Sequence, residues 1–214
     1  MNRALLWWLL RPVFRCSPTP LHGIRRWILT ICGARVAPTT KIRPDVRIDR
    51  PWNLRAGHLT IFGDKADLRL EEPLRVGDRC VVSQYAVLAT VCVEPDQPAG
   101  VPDPGRTRRG PITIGDDCWV ATDAFVMPGS TIHAGTVVGA RALVDGELPG
   151  WSVAVGEPAS AIKPRAFVNP AQERPRRRET PPRASSVPRT AGTPPDAGSE
   201  KSPGRSPGSG KREQ

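Results

Sequence analysis

The sequence predicts an all-β fold, a parallel β-helix of about five coils, and three observations carry that prediction. Ile114, Val120, Val126, Ile132, Val138 and Val144 recur at intervals of six. Six is a multiple of the strand period of two and does not fit the helical 3.6, so these side chains can all face one interior. Four places after each stands Cys118, Ala124, Ser130, Thr136, Ala142 or Leu148, a second inward position where small residues leave room for a tight corner. The spacing then persists upstream in Val76-Val82-Leu88, Ala56-Phe62-Leu68 and Val36-Ile42-Ile48. A strand-and-turn unit repeated in register describes a solenoid whose core is a column of stacked aliphatic side chains.

Residues 1–35 read as an N-terminal arm of short helical segments. Ala4 to Leu10 is an apolar run holding Trp7 and Trp8, followed by Arg11, Val13, Phe14 and Arg15. It is too short to span a bilayer and lacks the form of a signal peptide. A second apolar and basic segment, Arg25 to Ile31, predicts a short helix ended by Gly33. These pieces are expected to cap the first coil, and tryptophan beside arginine also suits peripheral contact with a membrane surface.

Residues 36–167 form the β-helix, with coils beginning near 36, 56, 76, 114 and 132. From 48 to 56 and from 68 to 76 the step is eight, so each early coil carries a two-residue insertion at one corner. Each inward Val, Ile or Leu contributes about 1.5–3 kcal/mol by burial against its equivalents above and below. Between the third and fourth coils an excursion runs over 91–111, long enough to be either functional or disordered. Its Arg106, Arg108 and Arg109 would suit an anionic ligand; a solvated charge cluster is the alternative.

From 168 to 214 the chain turns rich in Pro, Arg and Ser, a composition that predicts a disordered tail. That tail holds ten Lys or Arg against five Asp or Glu, half of the net charge of +10. No aromatic interleaves with Arg176, Arg177 and Arg178 to stack a base, so nucleic acid is not the expected partner. The five cysteines form no close metal-ligand pair, and Cys80 and Cys118 fall on second inward positions as core residues. Their odd number favours a reducing cytosol over a disulfide framework.

Several stretches carry a resemblance: Cys32-Gly33-Ala34-Arg35-Val36, Pro51-Trp52-Asn53-Leu54, Val82 to Leu88, Pro111 to Gly115 with Trp119-Val120, and Val155 to Lys163. In these the chain resembles the hexapeptide-repeat acyltransferases, within them the colanic-acid-type polysaccharide O-acetyltransferases. The crossover rule alone would give a right-handed coil; the resemblance implies a left-handed one. It also implies a homotrimer with its site between subunits, acetyl-CoA as acyl donor, a sugar or glycan acceptor, no metal, and work in the cytoplasm, at the inner face of the membrane if the N-terminus touches it.

On this resemblance Ala121, Gly139 and Ala140 would let the pantetheine arm approach a coil edge, although turn chemistry explains the glycine as well. Lys163 and Arg165 would meet the nucleotide phosphates, and Ser83, Gln84, Tyr85 and Trp119 would line the acceptor side. Where relatives have Thr-Lys, this chain has Asp145-Gly146.

Hydroxyl attack on the thioester needs a base, in this family a histidine. The matching position reads as Val93, and no histidine occurs between His58 and His133. Glu94 and Asp96 lie in that loop and could serve if burial raised their pKa. The alternative is a catalytically inactive homologue that keeps the trimer as a binding or assembly scaffold. A zinc site of the carbonic anhydrase type is not expected, since His22, His58 and His133 have no matching spacing. A sugar nucleotidyltransferase would need a Gly-rich nucleotide domain ahead of the coils.

Overall fold

A computed structural model describes residues 2–93 and 107–166. The expected disorder of 168–214 and the centre of the excursion lie outside the described residues. Inward positions stack as the six-residue spacing requires. On the first face Val36, Ala56, Val76, Ile114 and Ile132 succeed one another in parallel register. Ile42, Phe62, Val82, Val120 and Val138 do so on the second, and Ile48, Leu68, Leu88, Val126 and Val144 on the third. Nearly all are buried, so the core is one apolar column.

One unit departs from the expected repeat. Leu148 is not the second inward residue of the Val144 unit: it stacks on Ile132 and opens a partial sixth coil, in which Ala154 lies on Val138. The corner after Val144 is therefore shorter than the others, and Gly146, at φ 105°, supplies the backbone freedom for it.

Corners between first and second faces turn through Leu59, Arg79, Asp117, Gly135 and Trp151, each three places after an inward aliphatic residue. Those between second and third faces turn through Lys65, Tyr85, Asp123 and Arg141. The non-glycine members hold φ between 52° and 63°, a left-handed conformation that the stacked ladder imposes on ordinary residues. The second inward positions do more than leave room. Thr40 donates to the Gly57 carbonyl at 2.8 Å, Thr60 to Gly77 at 2.7 Å, Cys80 to Gly115 at 3.0 Å, Cys118 to His133 at 3.1 Å and Thr136 to Pro149 at 2.7 Å. Each coil is thus tied to the next through a buried hydroxyl or thiol.

Two helices close the open end, α1 (Arg3–Cys16) and α2 (His22–Ile31). Helix α1 runs beyond the apolar run and through Pro12, which is exposed. Helix α2 ends at Gly33 as expected, with φ 98°, the Gly33 N–H on the Thr30 carbonyl and the Ala34 N–H on that of Leu29. Along the column the N–H groups of each coil donate to carbonyls of the coil above, as Lys41 does to Thr60. The first coil's own carbonyls therefore have no coil beneath them. Side chains replace it: Arg26 donates to Thr40 at 3.2 Å, Arg25 Nε to Ile42 at 2.7 Å and Trp7 Nε1 to Ile48 at 3.1 Å.

Candidate active site

Residues expected to bind acceptor and those expected to bind the cofactor largely share one edge, the corner between second and third faces. Ser83, Gln84 and Tyr85 form that corner in the third coil, Ala121 in the fourth, Gly139 and Ala140 in the fifth. Backbone bonds link them vertically: the Ser83 N–H meets the Val120 carbonyl at 2.9 Å, Ala121 meets Val138 at 2.9 Å and Gly139 meets Ala154 at 2.8 Å. Trp119 stands on the second face just before the corner, and its Nε1 reaches down to donate to Ser83 Oγ at 2.9 Å. That bond holds a half-exposed indole over a nearly buried hydroxyl. Below it the Tyr85 ring faces Lys65, whose ammonium lies 5.3 Å from the ring centroid. The edge thus offers an aromatic wall, an amphoteric hydroxyl and a run of small side chains.

Gly139 has a local explanation within the chain. A β-carbon there would stand 2.6 Å from Val155 Cγ1, so the glycine makes room for the valine of the next coil. Ala140, in contrast, is exposed. Lys163 is exposed on the last strand, Ala159–Pro164, opposite Val153 on the second face. Arg165 departs from its expected place. Its guanidinium donates to the carbonyls of Asp117 at 2.5 Å and Gly135 at 2.9 Å, at the corner between first and second faces. It clamps that corner, away from the edge carrying Ser83 and Ala121, because turn carbonyls there have no neighbouring N–H to meet.

The stems of the excursion pair as an antiparallel ribbon, Val91–Val93 against Thr107–Arg109. Arg108 and Arg109, expected to meet an anionic ligand, instead face carboxylates of the column. Arg108 lies 2.6 Å from Asp145 and Arg109 lies 3.4 Å from Glu71, which also pairs with Arg50 at 2.8 Å. The carboxylate of Asp145 is thus matched by a cation on the ribbon. Val93 ends the first stem with 62% of its surface exposed. Glu94, Asp96 and Arg106 lie outside the described residues.

His133 is exposed and has a partner that the sequence does not reveal. Its Nε2 is hydrogen-bonded to the Glu147 carboxylate, the next coil's residue on the same face. Parallel stacking brings Thr131 opposite Glu147 only because the corner after Val144 is short, so the regular six-residue spacing holds no signal of this pair. A histidine held by a carboxylate has the form of a general base, although this one stands on a different corner from Ser83. His22 Nδ1 lies 3.0 Å from the Ile42 carbonyl and serves the cap, and His58 bonds Thr39 at 3.2 Å. Among the described residues no group of three His, Cys, Asp or Glu is arranged to hold a metal ion.

Comparison with known proteins adds to this geometry. No protein-family profile matches the chain. It is 38% identical over 168 residues to an Escherichia coli (strain K12) protein named as the colanic acid biosynthesis acetyltransferase WcaF, a match covering 76% of this chain and 87% of that protein. A maltose O-acetyltransferase from Clostridium difficile 630 has the same fold, with a TM-score of 0.67 at 23% identity over 77% of this chain and 87% of the other. So does a hexapeptide-repeat acetyltransferase of Vibrio cholerae O1 biovar eltor complexed with acetyl coenzyme A, with a TM-score of 0.66 at 19% identity over 77% and 88%. Its coil register and a relative matched over most of both chains show that the protein belongs to the hexapeptide-repeat acetyltransferases, with their left-handed parallel β-helix.

Proposed function

We propose that the protein transfers the acetyl group of acetyl-CoA to a hydroxyl of a sugar in surface-polysaccharide or related glycan assembly. The observation that carries this reading is the single edge on which Ser83, Ala121 and Ala140 succeed one another in adjacent coils, with Trp119 bonded to Ser83 beside it. The small residues of the fourth and fifth coils are the place for the pantetheine arm, and exposed Lys163 is the cation for the nucleotide phosphates. Ser83, Gln84, Tyr85 and Trp119 are the acceptor side, where an indole face suits the apolar face of a pyranose ring. The working unit is a homotrimer in the cytoplasm. The acceptor oxygen attacks the thioester carbonyl, its proton passes to the base, and coenzyme A leaves as the thiol.

Val93 favours a second reading. Valine cannot accept a proton, and if no other group does so the protein is a scaffold that keeps the family's fold without its chemistry. Three groups are the alternatives for the base: Glu94 and Asp96 of the excursion, and His133 held by Glu147. Thiol release from acetyl-CoA over a panel of sugar acceptors separates these readings. Turnover that falls at least about a hundredfold in one of Glu94→Gln, Asp96→Asn or His133→Gln identifies an enzyme and its base. Binding of acetyl-CoA without turnover on any acceptor supports the scaffold.

A further inference from the structure

Both N-terminal helices carry an apolar stripe that the column does not use. On α1, Trp7 and Phe14 are buried against the first coil with Leu6 and Leu10 beside them. Its opposite side presents Leu5, Trp8, Leu9, Pro12 and Val13, a second stripe of helical spacing, and Trp8 is 69% exposed. On α2, Arg25, Ile28 and Leu29 face inward, while Leu21, Ile24, Trp27 and Ile31 face out, with Trp27 63% exposed. A helix that only caps a coil needs one apolar side.

The charge around these stripes is of one sign. No Asp or Glu precedes Asp45, whereas eight Lys or Arg do. Arg11 and Arg15 lie one turn apart on α1, flanking the outer stripe, and both are exposed. We propose that this outer face of the cap docks on the surface of an anionic lipid bilayer, with the tryptophans at headgroup depth and the arginines on lipid phosphates. Neither helix is long and apolar enough to cross a membrane, so the contact is peripheral. A second copy of the same face is disfavoured, because it would set uncompensated arginines against each other. The inference does not depend on acetyl transfer, and vesicle binding reads it without any acyl chemistry.

The test is co-sedimentation of the full chain with vesicles of phosphatidylcholine alone or mixed with phosphatidylglycerol, at low and high salt. The expected result is binding to the anionic vesicles that weakens with salt. Trp8→Ser with Trp27→Ser, and separately Arg11→Glu with Arg15→Glu, should each reduce binding at least about tenfold. Both variants should keep the parent's thermal transition, since the altered side chains are exposed. Absence of binding, or equal binding to neutral and anionic vesicles, would overturn the proposal. So would tryptophan variants that bind vesicles normally but break an oligomer in sedimentation, which would make the stripe a contact between copies.

Discussion

The Nε of Arg25 donates to the carbonyl of Ile42 at 2.7 Å, and the rest of the same guanidinium holds the loop between the helices. It donates to Ser17 Oγ at 2.9 Å, to the Pro18 carbonyl at 2.8 Å and to that of Thr19 at 2.5 Å. Arg25 is fully buried, so its charge is carried by carbonyl dipoles rather than by a carboxylate. Arg25→Met should lower unfolding stability in urea by about 2–4 kcal/mol, because several buried carbonyls lose their donor together. A loss below about 1 kcal/mol would mean that water reaches the open end of the column.

His22 makes the same cap sensitive to pH. Burial lowers its pKa below the usual 6.5, against the pull of the Ile42 carbonyl, and the nearby cations Arg25, Arg43 and Lys41 lower it further. Below pH 6.5 the unfolded chain takes up a proton that the folded chain resists. The stability linked to His22 is therefore complete above that pH and is lost as pH falls through the lowered folded value. Denaturation midpoints on either side of this window should show the decline, and His22→Gln should flatten it.

The thiols of Cys80 and Cys118 stand in for hydroxyls in the ladder of second inward positions. Cys118→Ser keeps a donor to the His133 carbonyl and should change stability by less than about 1 kcal/mol. Cys118→Val removes it and should cost about 1–3 kcal/mol. The neighbouring Cys118 side chain and burial both push the Cys80 thiol up. Under native conditions Cys80 should therefore resist alkylation while the exposed Cys16 reacts.

Arg108 and Asp145 form a brace between ribbon and column whose side chains are both partly exposed. A double-mutant cycle with Arg108→Ala and Asp145→Ala should give a coupling of about 0.2–1 kcal/mol, decreasing with salt. A coupling near zero would show that the ribbon does not depend on this pair.

Much of the column could be read from the sequence, because a six-residue spacing leaves one consistent way to bury Val, Ile and Leu. Phe62 on Val82 and Cys80 in the core follow from counting alone. The left-handed turn residues could not be found by looking for glycine, since residues such as Leu59, Tyr85 and Trp151 hold all of those positions but that of Gly135. Leu148 differs from its expected place because an aliphatic residue four places after Val144 fits either role until the length of the corner is known. Neighbours across coils were harder to read than neighbours within one. The Trp119–Ser83 bond and the His133–Glu147 pair join residues of different coils, and Arg108–Asp145 joins the ribbon to the column. Lys163 and Arg165 share one expectation drawn from the resemblance, yet Lys163 lies exposed beside the second face while Arg165 turns to the corner between first and second faces.

The measurement closest to the central claim is calorimetric titration of acetyl-CoA into the full chain and into Ala140→Glu. Ala140 is exposed on the edge that carries Ser83 and Ala121, so the substitution adds bulk and negative charge there without disturbing the core. The parent should bind saturably and the variant at least about tenfold more weakly, equivalent to about 1.4 kcal/mol. Absence of binding by the parent, or equal binding by both proteins, would contradict it.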